Sequence, residues 1–174
     1  MNIEPLGWLE PDSLMPESLC SQPFPVPYFG GLLLPFALLE AENDPAPADF
    51  ETALNAFLQL GPVEKAQAGH YVFRLYRQIA EDVGEEELGF TIPSASAVWD
   101  FVKPTGIRVS RRHQGDKLVY VEICAGCRWD VEHGLVVIYR SGSRLSRVSE
   151  QDGHLTTSDA FGFPEERDTI IYEG

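Results

Sequence analysis

The sequence predicts an α+β fold in one domain, a helical hairpin packed on an antiparallel meander sheet. Three observations carry that expectation. Residues 49–83 place apolar side chains at helical spacing, and residues 107–148 alternate apolar and polar between turn sequences. The chain has 174 residues and is 44% hydrophobic, enough apolar material for one core and too short for several.

Nine of the 13 prolines fall in the first 47 residues, so this region should be extended and irregular. Residues 1–22 read as a Pro-rich N-terminal arm, 23–165 as the domain and 166–174 as an acidic tail. Phe24, Val26 and Tyr28 alternate with Pro25 and Pro27 as in an edge strand, and Leu32–Leu39 reads as one paired, buried strand. Asp49 is placed to cap a helix carrying Phe50, Leu54, Phe57 and Leu58. Gly61 suits a left-handed helix end and Pro62 the first turn of the next helix, whose stripe is Val72, Leu75, Tyr76, Ile79 and Val83. Gly84 ends that helix, and Glu85–Glu87 form a solvated turn. Ser94 or Ser96 starts a short helix bearing Val98 and Trp99. Strands follow around Ile107–Val109, Leu118–Cys124, Leu135–Tyr139 and Leu145–Val148, and Thr156–Phe161 makes one helical turn.

Charge narrows the function classes. The chain carries 13 Lys and Arg against 27 Asp and Glu, a formal net of −14. Residues 1–87 hold 3 basic and 15 acidic residues, and residues 88–174 hold 10 and 12. Such a balance opposes nucleic-acid coating and docking on anionic membranes, and it favours a protein partner with a basic surface. Lys103, Arg108, Arg111, Arg112 and Lys117 make a modest basic patch without interleaved aromatic platforms. That pattern fits a solvated sheet face paired with the acidic helices better than an RNA surface.

Met1–Asp12 contains no basic residue and no apolar run of the secretory kind. The most apolar stretch, Phe29–Leu39, is broken by Pro35 and is about half the twenty residues a membrane span needs. Three cysteines, Cys20, Cys124 and Cys127, are a poor disulfide framework. A reducing, cytoplasmic location is expected.

Two constellations invite chemistry. Cys124-x-x-Cys127 with His133 and His154 offers four N or S donors, as tetrahedral zinc requires. On a regular strand, however, positions three apart face opposite sides of the sheet, unless Gly126 bulges it. The second cluster is Trp129, Asp130, Glu132 and His133 with Asp152 and His154, from two turns that a meander returns to the same end of its sheet. Carboxylates beside imidazoles suit acid–base work or a hard metal. A structural reading competes: Asp130 makes an Asx-turn, Gly134 supplies positive φ, Trp129 covers a core edge, and His133 bonds a backbone carbonyl. No G-x-S-x-G, P-loop or G-x-G-x-x-G is present.

Four stretches, Asp49–Leu58, Ile107–Arg112, Cys127–Leu135 (Cys-Arg-Trp-Asp-Val-Glu-His-Gly-Leu) and Asp152–Thr156, resemble in order and spacing a family of small bacterial proteins known only as a domain of unknown function. The likeness covers roughly residues 24–165, and the Trp-Asp-x-Glu-His-Gly-Leu segment is its most specific part. Members look like immunity or accessory proteins encoded beside polymorphic toxins. The resemblance implies one α+β domain, a cytoplasmic site and no assigned chemistry, cofactor or catalytic residue.

The reading that follows is a non-enzymatic, immunity-type binding protein, which occludes a basic partner and needs no cofactor. The alternative is a metal-binding domain or metal-assisted hydrolase built on Asp130, Glu132, His133, Asp152 and His154. A third, a homo-oligomeric accessory protein, requires a large apolar patch exposed on the monomer.

Overall fold

A computed structural model describes residues 1–13, 15 and 17–173. At the N-terminus β1 (Asn2–Ile3) pairs with β2 (Gly7–Trp8), and β3 (Glu10–Pro11) pairs with β4 (Ser18–Cys20). Ile3, Leu9 and Leu19 are buried in the core. The loosely held arm expected over residues 1–22 is therefore bound to the domain, because its spaced apolar side chains bury. Prolines only confine the pairing to short pieces, with Pro11 on the outermost strand where a missing donor is tolerated. Pro16 of that expectation lies outside the described residues.

Proline also divides the next segment. β5 (Phe24–Val26) pairs with β6 (Leu32–Leu34), while β7 (Phe36–Leu39) joins the main sheet. The single strand expected over Leu32–Leu39 breaks at Pro35, which lacks an N–H; its carbonyl still accepts the Ile107 amide at 2.9 Å. Tyr28 lies in a 3-10 turn, Pro27–Phe29, and is buried.

The helical expectation holds in position and at Pro62 and Gly84, which open and end α2, but fails at Asp49 and Gly61. α1 (Ala48–Phe57) buries Phe50, Ala53, Leu54 and Phe57, and α2 (Pro62–Val83) buries Ala68, Gly69, Val72, Tyr76 and Ala80. Asp49 lies inside the first turn of α1, where its carboxylate accepts from Arg111 at 2.9 Å. Gly61 is extended at φ −136°, and its amide donates to the Glu64 carboxylate at 2.8 Å, so it starts α2 instead of ending α1. Val83, expected in the buried stripe, is 52% exposed because the last turn of α2 overhangs the core. α3 (Glu85–Leu88) is a short exposed helix where a turn was expected.

A 3-10 helix, Ala95–Phe101, lies against α2. A Cβ at Gly69 would stand 2.9 Å from the Trp99 indole nitrogen, which donates instead to the Lys65 carbonyl at 3.2 Å. Glycine here permits the close approach of the two helices.

The meander follows as expected: β8 (Val102–Arg111), β9 (Val119–Cys127), β10 (Leu135–Arg140) and β11 (Arg144–Ser149), each antiparallel to the next. The whole sheet has seven strands in the order β11-β10-β9-β8-β7-β4-β3. It is mixed, not wholly antiparallel, because β7 pairs parallel with β8. Parallel neighbours need a long crossover, and residues 40–101 supply it with both long helices.

One sheet face carries Leu38, Val109, Val121, Ile123, Val137 and Tyr139 into the core shared with α1 and α2. The opposite face carries Arg108, Ser110 and Glu122 beside a smaller apolar group, Tyr120, Val136 and Ile138, which Leu155 covers. The turn 150–156 leads across that face into α4 (Thr157–Phe161), capped by the Thr156 hydroxyl accepting from the Asp159 amide at 3.1 Å. The tail expected over 166–174 is acidic but attached: the Ile170 carbonyl accepts from Val148 at 2.7 Å and Ile171 is buried. Gly174 lies outside the described residues. No helix among the described residues is long and apolar enough to cross a membrane.

Candidate functional site

The turn between β9 and β10 is shaped by Asp130. Its carboxylate accepts from the His133 amide at 2.9 Å and stands 3.1 Å from the His133 ring nitrogen Nδ1. Gly134 closes the turn at φ 69°, where a Cβ would meet the Ala125 carbonyl oxygen at 2.6 Å. Trp129 turns inward, 5% exposed, with its ring edge-on to Tyr76 of α2 at 5.9 Å. The Asx-turn and core-edge roles are as the structural reading expected. His133 differs, since its ring faces a carboxylate where a backbone carbonyl was expected.

The turn after β11 returns to the same end of the sheet, where the Gln151 backbone amide donates to the His133 carbonyl at 3.3 Å and its side chain to the Ala125 carbonyl of β9 at 3.0 Å. Arg147 is 1% exposed and donates to both Asp152 oxygens at 2.6 Å and to the His154 carbonyl at 2.6 Å. Burial opposes the Asp152 charge, but these hydrogen bonds outweigh it and hold its carboxyl below the usual range. Arg147 Nε has no hydrogen-bond partner among the described residues.

The expected cluster is thus brought only partly together. Asp130 and His133 converge with Glu150, and those three are the group among the described residues whose donor atoms lie within 4.8 Å of one another. Glu132 is exposed and outside it, Asp152 is bound to Arg147, and His154 lines a different groove. Cys124 and Cys127 face opposite sides of an unbulged β9, Cys127 toward the helices and Cys124 toward Arg108 and Glu122. One ion cannot take both. Burial pushes each of these thiols up to about 11, and raises Cys20 as well, which disfavours the reactive thiolate.

Between the two turns lies a cavity of about 190 Å³. Its walls are Leu75 and Ile79 of α2, Val148 of β11, Phe161 of α4, and Ile171 and Tyr172 of the tail. Phe161 and Tyr172 stack at 3.8 Å. Asp130, Glu150 and Asp152 also line it. Sequence reasoning missed Glu150, Arg147 and these apolar walls. Glu150, two positions before Asp152 in the same turn, was the readable signal. The tail gave none, because its apolar residues lie in an acidic, aperiodic stretch.

A second, wider groove of about 760 Å³ crosses the polar face of the sheet. At its floor Arg108 donates to both oxygens of the buried Glu122, at 2.9 and 2.5 Å. Its walls hold two more residues of the predicted basic patch in ion pairs, Arg111 with Asp44 and Asp49, and Arg112 with Asp159 and Glu165; Lys103 and Lys117 do not line it. The expectation of a solvated face paired with the acidic helices is met only in part, through Asp49 of α1, because Arg112 is buried.

Residues 6–155 match the DUF6985 family, a domain of unknown function, and the chain belongs to that family. No curated protein and no solved structure matches it.

Proposed function

We propose that this chain is a non-enzymatic binding protein that presents one acidic end to a basic protein partner and occludes it, in the manner of an immunity protein. One observation carries the reading: among the described residues most arginines are engaged internally, while Asp82, Glu86, Glu87, Glu132 and Glu150 at one end stand in no ion pair. Seven arginines stand in ion pairs, and Lys65, Arg128 and Arg167 lie over aromatic rings.

Glu81, Asp82, Glu85, Glu86 and Glu87 cluster where α2 ends and α3 begins. Asp130, Glu132 and Glu150 belong to the turns at the same end of the sheet. Tyr76 on Trp129 and Arg128 over Phe90 at 4.5 Å fix that proximity. Arg77 pairs with Glu81 and Glu85 of this cluster, and Arg128 stands beside it on the Phe90 ring. Val131, 88% exposed, and Val83 lie among these carboxylates and supply apolar contact. Uncompensated charge of one sign steers encounter with the opposite sign, and its effect weakens with salt.

The test is calorimetric titration with the product of a neighbouring toxin-like gene, followed by a protection assay. Binding that weakens with added salt, with protection, supports the reading. A folded sample that neither binds nor protects overturns it for that partner.

A further inference from the structure

Resting on that reading, we infer that the cavity between α2, β11 and the C-terminal tail is the anchor socket, and that it takes one lysine or arginine side chain of the partner. Its volume, shape chemistry and charge point the same way. A cavity of about 150 Å³ suffices for a benzene-sized guest, so about 190 Å³ admits a single aliphatic stem with its head group. The walls toward α2 and the tail are apolar, and the stacked Phe161 and Tyr172 rings form one side. Such surfaces suit a methylene stem and a planar cation.

The charged groups around the socket are Asp130, Glu150, Asp152 and Arg147. Arg147 and Asp152 neutralise each other through two hydrogen bonds at 2.6 Å. Glu150, with Asp130 held against the His133 amide and ring at 2.9 and 3.1 Å, then leaves net negative charge at the lip, which rejects an anion and receives an ammonium or guanidinium. The apolar walls separate this chemistry from a bare divalent-ion site, since a hard cation gains nothing from Leu75, Ile79 or Ile171.

The probe is n-butylguanidinium, titrated into the ¹⁵N-labelled full chain and followed by amide chemical shifts. Saturable shifts are expected at Ile79, Gly134, Ser149 and Ile171, with none from the neutral analogue n-butylurea. Asp130→Asn with Glu150→Gln should weaken the probe by roughly tenfold or more. Glu150→Gln alone, at an exposed position, gives a smaller loss should the double variant fold poorly. Glu86→Gln with Glu87→Gln, away from the socket, should leave the probe unaffected.

Absent shifts, or equal shifts from the urea, overturn the socket. So does Zn²⁺ shifting Asp130, His133 and Glu150 while the guanidinium shifts nothing. Either failure leaves partner binding to be judged by the protection assay. A socket that binds the probe in a protein with no partner affinity overturns the broader reading instead.

Discussion

Arg147 and Asp152 form a two-pronged pair, each carboxylate oxygen 2.6 Å from a guanidinium nitrogen, with the arginine side chain 2% exposed. The pair fixes the turn that carries Glu150, and so the lip of the socket. Removing the carboxylate strands a buried cation. Asp152→Asn should cost about 3 kcal/mol in urea denaturation. A loss below about 1 kcal/mol would show that the His154 carbonyl alone is enough for Arg147.

Glu122 is buried beneath Arg108 in the middle of the polar face. Breaking such a pair costs more than replacing both members, because a lone buried charge has no compensation. Arg108→Met alone should destabilise by about 2–4 kcal/mol, and adding Glu122→Leu should recover at least half of that loss. A double variant less stable than the single one contradicts this account.

In the core the Tyr139 hydroxyl donates to the Tyr28 hydroxyl at 3.1 Å, both rings being buried. Burial pushes the Tyr139 phenol up to about 12 and Tyr28 higher still. Tyr139→Phe leaves the Tyr28 hydroxyl without that partner and should cost about 1–3 kcal/mol. Tyr28→Phe with Tyr139→Phe should cost less than the sum of the single changes, read from a double-mutant cycle.

Acid should unfold the protein through its carboxylates. Asp44 is held below the usual range by hydrogen bonds from Arg111, Asp159 by those from Arg112, and Asp152 by Arg147 against the opposing effect of burial. A carboxyl with a lowered folded pKa contributes stability that is fully present above its unfolded value of about 4 and is lost as pH falls below it. The urea midpoint should therefore be flat with respect to these groups from pH 7 to 5 and drop steadily from about pH 4 downward. A midpoint unchanged at pH 3 would contradict the ion-pair geometry.

Much of the frame was readable because it depends on local periodicity. Pro62 and Gly84 bracket α2, and the alternation through Ile107, Val121 and Val137 places the meander. Sheet order was not readable. β7 and β8 meet across a long crossover, and β3 and β4 are two- and three-residue strands among prolines, too short to show a period. The candidate site divides in the same way. Asp130, Gly134 and Trp129 act within their own turn or beside it, so their roles could be read from spacing. Arg147, Ile79 and Tyr172 meet Glu150 only in the folded chain, and no local pattern beyond the nearness of Glu150 to Asp152 announces their convergence.

The parallel register of Phe36 with Ile107 joins positions about seventy residues apart, and the exposed helix Glu85–Leu88 lies between them. A protease cut in that helix would therefore not release a fragment. The amino-terminal piece would keep three strands of the sheet and both long helices, the carboxy-terminal piece the other four strands, and each would complete the other as a nicked, noncovalent whole.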